Sequence, residues 1–325
     1  MLQERAQIIR RVRSFFDGRD YLELDTPLLS PDLIPESCLE VFETQRFLPN
    51  GSTAPYWLIP SPEIWMKKII AQHRVNIYQI CKCFRNGESS GFLHNPEFTM
   101  LEYYTMNAGY LDSLKITEDL VTFLLGESGV GILPFERLTV AEAFARYAGF
   151  DLFAAAETPG AMENEARRLE LDPMPGMETA ALYDLIFIHA VEPQLRQRRF
   201  IALLDYPAFV PCLAQLKADG QCRERWELYY NGIELANCFS EETDAQRVRA
   251  FIESEAAEKE QRALVKHRID RDYWKFFQGL STEKPGFPPC SGVALGVDRL
   301  IMALCERSTI DSVLPFVMES LRKKN

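Results

Sequence analysis

A chain of 325 residues with 47% hydrophobic and 11% aromatic content can bury a large core and shows no bias towards disorder or fibrous repeats. Its 36 Lys and Arg against 47 Asp and Glu leave a net charge of −11, which argues against unspecific nucleic-acid binding, because neutralising phosphates needs a basic face. No run of about 18 apolar residues offers a membrane span, and the opening MLQERAQIIRRVRSFF has no signal-peptide core, so a cytoplasmic protein is expected. Eight scattered cysteines, none in a CxxC, read as reduced thiols and not as a zinc site.

In chain order, residues 2–17 place Ile8, Ile9, Val12, Phe15 and Phe16 at helical spacing, on one apolar stripe. The segment DGRDYLELDTPLL turns at Gly18 and alternates Tyr21, Glu23 and Asp25 against Leu22 and Leu24, as a strand ending at Pro27. In SPEIWMKKIIAQ, Ser61 is a candidate helix cap, Pro62 fits the first helical position, and Glu63 suits the positive first turn. Lys67 and Lys68, like Arg10, Arg11, Arg13 and Arg196, Arg198, Arg199, form small basic clusters of the kind that solvated helix faces explain.

VNIYQICKCFR and FTMLEYYTM read as strands, residues 111–200 as mainly helical with a turn at 172–177, and FIALLDYP as a further strand. Asn231-Gly232 between two strand-like runs is the signature of a type I′ hairpin. SGVALGVDRLIMAL is strand-like to Gly296 and helical after it. Adjacent hairpin strands with helices outside predict an α+β fold built on a large, mainly antiparallel sheet, and not a doubly wound dinucleotide fold.

Three places carry chemistry. Arg85 ends an apolar strand and opens a polar loop, where its planar fork suits either a phosphate or a loop ion pair with Glu88 or Glu97. In the hairpin, Tyr229 is expected opposite Glu234 and Glu227 opposite Ala236, which sets two carboxylates on one face. Such a pair fits Mg²⁺ or a cationic substrate, or else the wet side of the sheet. Arg299 opens the last helix beside the end of a strand, and with Arg85 would supply two fixed cations to a triphosphate.

FRNGESSGFLHNPEFTMLEYY resembles the second signature motif of class II aminoacyl-tRNA synthetases in its lysyl form, SGVALGVDRL the third and YLELDTPLL the first. SPEIWMKK, DYPAFVPCLA and GIELANCFSEETDA also resemble lysyl-tRNA synthetase segments, so the likeness runs from about residue 5 to 320. The first motif begins almost at Met1, without room for an anticodon-binding barrel before it. That arrangement is similar to the lysyl-tRNA synthetase paralogues that attach lysine, preferentially (R)-β-lysine, to elongation factor P.

The resemblance implies a class II synthetase catalytic domain spanning 1–325 as one unit, with a mainly helical insertion at about 111–200 and no anticodon-binding domain. It implies an ATP-dependent ligase forming an aminoacyl-adenylate, with Mg²⁺, as a homodimer acting on elongation factor P and not on tRNA. Arg85 and Arg299 would be catalytic, holding the α- and γ-phosphates. Asn86, Glu88, His94, Asn95, Phe98, Glu234, Leu235 and Gly296 would complete the ATP site, with Phe98 stacked on adenine. Glu227 and Glu234 would ligate Mg²⁺, and Ser61, Glu63, Tyr104, Asn237, Glu241 and Ala294 would form the lysine pocket. Ala294 stands where lysyl-tRNA synthetases carry glycine, and its methyl would narrow the pocket floor.

The departures are Gly87 with the acid displaced to Glu88, a longer loop to His94, Leu93 in place of a basic residue, and Cys238 in place of glycine at the pocket wall. Two rival readings are a free-standing ligase charging tRNA or another carrier, and a catalytically silent paralogue that senses amino acids.

Overall fold

A computed structural model describes residues 1–87, 91–126, 134–197 and 199–318. Helix α1 (Leu2–Asp17) buries Val12, Phe15 and Phe16, with Ile8 and Ile9 packed beside them, as its stripe predicts. The next segment departs from expectation. Only β1 (Leu22–Glu23) is strand, parallel to Ile77–Tyr78, and both of its residues are exposed, while Tyr21 is buried and Leu24 partly so. Edge-on packing against Phe16 and a hydroxyl bond to Thr105 hold Tyr21 in the core.

Strands β2 (Leu29–Ser30), β3 (Phe42–Phe47) and β4 (Thr53–Leu58) form a small separate sheet that the sequence did not announce. Helix α2 (Glu63–His73) begins one residue later than expected, with Pro62 at its cap, yet Ser61 Oγ still accepts the Glu63 N–H at 3.0 Å. Strands β5 (Ile77–Phe84) and β6 (Glu97–Met106) pair antiparallel in unbroken register, and α3 (Tyr110–Leu125) follows.

The described residues from 134 to 195 are mainly helical. They comprise β7 (Glu136–Thr139), α4 (Val140–Ala143), α5 (Leu152–Glu157), α6 (Ala161–Arg168) and α7 (Thr179–Ile186), with π-helical turns at Phe144–Ala148 and Phe187–Val191. The strand β7 was not anticipated. These helices share a core with Ile201, Leu203, Tyr206 and Tyr229 of the sheet.

Strand β8 (Phe200–Pro207) leads to the hairpin of β9 (Cys222–Tyr230) and β10 (Ile233–Ser240). Asn231 and Gly232 both have positive φ, 51° and 74°, as a type I′ turn requires. Helix α8 (Ala245–Arg262), the short β11 (Gly279–Ser281) and β12 (Lys284–Pro285), then β13 (Cys290–Gly296) and α9 (Val297–Leu304) complete the order.

The main sheet runs β1-β5-β6-β13-β10-β9-β8-β7, antiparallel except at its two outer pairs. One face buries Leu101, Tyr103, Trp226, Leu228, Cys238, Val293 and Leu295 together with residues of α1, α3 and α9. Alternation then turns Phe98, Glu102, Tyr104, Glu227, Asn237 and Ala294 to the opposite face, where the polar chemistry gathers.

Candidate active site

A cavity of about 90 Å³ opens on that face, over the ends of β6, β10 and β13. Arg85, His94, Asn95, Phe98, Glu234, Leu235, Gly296 and Arg299 line it, so the two arginines read from opposite ends of the chain meet in one place. Arg85 leaves the end of β5 with its N–H bonded to Pro96 O, and its guanidinium lies 5.2 Å from the centre of the Phe98 ring. Arg299, in the first turn of α9, donates to Glu234 O at 3.0 Å and lies against the His94 ring.

Not every expected residue reaches the cavity. Asn86 is not among its lining residues: its amide donates to Val41 O and its carbonyl accepts the Gly87 N–H, which anchors the loop to the small sheet. Asn95 lines the wall, but its amide is engaged with Glu97 O and the Met318 N–H. Glu88 lies outside the described residues.

The hairpin corrects one expectation. A bulge at Leu235 shifts the register, so Glu227 stands opposite Asn237 and not Ala236, while Glu234 remains opposite Tyr229. Leu235 and Ala236 both enter the core as a result. The two carboxylates stay within electrostatic reach: burial first, and then the Glu227 charge, push the Glu234 carboxyl up. Glu227 is also held by an ion pair to Arg225 and by the Tyr229 hydroxyl at 2.6 Å. Arg225 in turn lies 4.3 Å from the Tyr206 ring centre.

Among the described residues no group of three or more His, Cys, Asp or Glu could hold a metal. Two neighbouring carboxylates are nevertheless a donor set that Mg²⁺ uses when nucleotide phosphates and water complete its shell. Glu227 and Glu234 fit that chemistry; a cage made of protein alone does not.

At the cavity wall, Ala294 pairs with Glu102 on one side and Asn237 on the other, beside a cluster of acidic side chains. Its centre is a residue the sequence reading missed. Glu102, 2% exposed, accepts hydrogen bonds from Ser61 Oγ at 2.6 Å and from the Tyr104 hydroxyl at 2.7 Å. Burial, then the Glu63 charge, raise its carboxyl to about 8 against those two hydrogen bonds. Burial likewise lifts Glu241 to about 7, opposed by Lys67.

Lys67 overturns its reading as a solvated charge: it is 1% exposed, with Nζ at 2.7 Å from Glu63 Oε1 and 2.6 Å from Glu241 Oε2. A Cβ at Gly292 would collide with the Tyr104 ring and Glu241 Oε1, so only glycine fits there. The Glu36 carboxyl is pushed up to about 7, by burial first and then by the Glu63 charge, with Arg85 opposing. Of the residues expected to bind lysine, Asn237 and Ala294 line the cavity, while Ser61, Glu63, Tyr104 and Glu241 belong to the bonded cluster around Glu102 and Lys67.

Cys238 does neither. It points into the opposite core, between Val293 and Trp226 in register, and so leaves the pocket wall untouched. Cys81 and Cys83 share the site face of β5 with their sulfurs 3.8 Å apart, and all eight cysteines are free.

No helix among the described residues is long and apolar enough to cross a membrane. The family model of the class II tRNA synthetases (D, K and N) matches residues 1–320. Two curated relatives share 35% identity with the chain. The elongation factor P–(R)-β-lysine ligase of Avibacterium paragallinarum aligns over 98% of this chain and 95% of its own length. The protein of the same name from Mannheimia succiniciproducens aligns over 96% and 93%.

Proposed function

The chain belongs to the class II tRNA synthetases (D, K and N), in the group of elongation factor P–(R)-β-lysine ligases, and from that premise we propose that it activates a lysine isomer with ATP and passes it to a lysine of elongation factor P. One observation carries the reading. A cluster of the acids Glu63, Glu102 and Glu241 lies, across Ala294, beside a cavity lined by Arg85 and Arg299. Acids grouped in that way suit a substrate with two ammonium groups, and fixed arginines suit a polyphosphate.

The substrate carboxylate is already ionised, so the first step needs no general base. One carboxylate oxygen bonds to the α-phosphorus of ATP, and the bond to the β-phosphate oxygen breaks, releasing pyrophosphate. Arg85 stabilises the charge that builds at the α-phosphate, and Arg299 orients the leaving pyrophosphate. Phe98 supplies the face on which adenine stacks, and His94 borders the same space. Mg²⁺ held by Glu227 and Glu234 would neutralise phosphate charge. In the second step the acceptor amine attacks the acyl carbon, AMP leaves, and the amine gives up a proton to solvent.

The protein works in the cytoplasm as a homodimer. Leu22 and Leu29, 54% and 48% exposed on either side of Pro27, support an interface along that segment. A net charge of −11 supports a protein acceptor over tRNA. Mass spectrometry of the factor after incubation with enzyme, ATP and either lysine isomer should show one added lysyl mass, larger in yield with the (R)-β isomer. Labelled lysine found on tRNA and absent from the factor overturns the reading.

A further inference from the structure

Lys67 is placed where few lysines are found. Its Nζ has no access to water, and it bridges a carboxylate four residues back on α2 to one at the far end of β10. Burying an ammonium is costly, and apolar residues of similar volume often serve a fold better, so the charge asks for a reason. Both partners are rigid. Glu63 sits in the first turn of α2, beside the Ser61 hydroxyl that binds both its N–H and Glu102. The Glu241 backbone is pinned by Cys290 O to its N–H and by the Gln215 amide to its carbonyl.

We propose that Lys67 is a positioning residue that sets the charge and the spacing of the amino-acid pocket. Its ammonium takes Glu63 Oε1 and Glu241 Oε2, and Glu241 Oε1 is thereby turned over Gly292 toward the pocket floor. Once a substrate ammonium favours the ionised form of Glu102, the three carboxylates Glu63, Glu102 and Glu241 less one lysine leave two negative charges, which match the two ammonium groups of a lysine isomer. Pocket charge therefore selects diamino acids over monoamino acids of equal length, and Lys67 fixes its value. The inference rests on the activity proposed above.

The other groups facing Lys67 agree with this. Besides Glu241 and Glu63, the buried Tyr273 phenol is near, and the two acids outweigh burial and hold the ammonium well above its ordinary range.

The test is amino-acid-dependent ATP–pyrophosphate exchange by the full chain, with α-lysine, (R)-β-lysine and norleucine, across neutral to alkaline pH. Lys67→Met should raise the KM for lysine isomers about tenfold, with the KM for ATP unchanged. Glu241, losing the ammonium that opposes the effect of its burial, should then protonate more readily and steepen the pH dependence of the lysine KM beyond the wild-type profile. Lys67→Arg should keep the wild-type pH profile and raise the lysine KM less.

A folded Met variant with wild-type lysine KM and pH profile overturns the proposal, as does an equal rise in the KM for ATP. If the Met variant does not fold, the Arg variant decides. A changed lysine KM on an unchanged pH profile supports the proposal, and no change in either overturns it. Wild-type protein without lysine-dependent exchange overturns the functional reading itself, and this one with it, before any variant is compared.

Discussion

The Glu102 carboxylate and the Ser61 hydroxyl meet at 2.6 Å, joining the middle of the sheet to the entry of α2 at the bottom of the acidic pocket. With Glu102 raised to about 8, the native empty protein keeps a proton that the unfolded chain releases near its ordinary 4.5. Stability from this group is therefore full below the unfolded value and is lost as pH rises towards about 8. An ammonium against the carboxylate favours the ionised form and reverses that loss. The rise in Tm caused by a lysine isomer should thus be larger at about pH 8.5 than at about pH 6, and Glu102→Gln should flatten the difference. A thermal-shift series with a pH-independent increment would refute it.

Arg85→Ala should slow ATP–pyrophosphate exchange about 100- to 1,000-fold, on the scale of about 3–4 kcal/mol for a preorganised donor at developing charge. Arg85→Lys should recover only part, because a point charge replaces a planar fork. Exchange at close to the wild-type rate in the Ala variant would remove Arg85 from the chemistry.

Gly296 is open on its own side. An added methyl would meet Leu235 O at 3.7 Å and Arg299 Cβ at 3.9 Å, ordinary contacts that require no movement. Its φ is −73°, which any residue adopts. The protein alone gives no reason for glycine, so a bound nucleotide is left to supply one. Gly296→Ala should melt within about 0.5 kcal/mol of wild type while its KM for ATP rises. Unchanged ATP saturation would show that the nucleotide keeps its distance.

Ala294 stands between Glu102 and Asn237 in the ladder, at the junction of pocket and cavity. Removing its methyl should raise activity toward α-lysine relative to β-lysine, within the roughly 1–3 kcal/mol that one methyl can contribute to discrimination. Exchange rates with both isomers for Ala294→Gly measure this directly, and an unchanged ratio would leave the methyl with packing alone.

The sequence was most legible where local rules suffice. Asn231-Gly232 announced its turn, β5, β6, β8 and β13 stood out as apolar runs, and the placement of Arg85 and Arg299 at strand and helix ends foretold their meeting. What escaped depends on partners distant in sequence. Pleat parity could not foresee the extra residue at Leu235, which shifts the partner of Glu227 by one. Glu102 is a single acid in an otherwise apolar strand, and its meaning appears only with Ser61 and Tyr104 around it. Lys67 looked like a surface charge because its second partner, Glu241, follows so much later. Cys238 was misjudged by one step of alternation.

Strand β13, the last strand among the described residues, lies in the middle of the sheet, hydrogen-bonded to β6 on one side and β10 on the other. The arginine and aromatic half of the site, on β5 and β6, and the acidic half, on β9 and β10, are thus two hairpins with no ladder between them until residues 290–296 arrive. During synthesis each would wait with an open edge, and the catalytic centre would come into being in one late step. A chain ending before residue 290 should accordingly lack activity, and regaining it on addition of a peptide carrying β13 and α9 would mark the closure of the sheet.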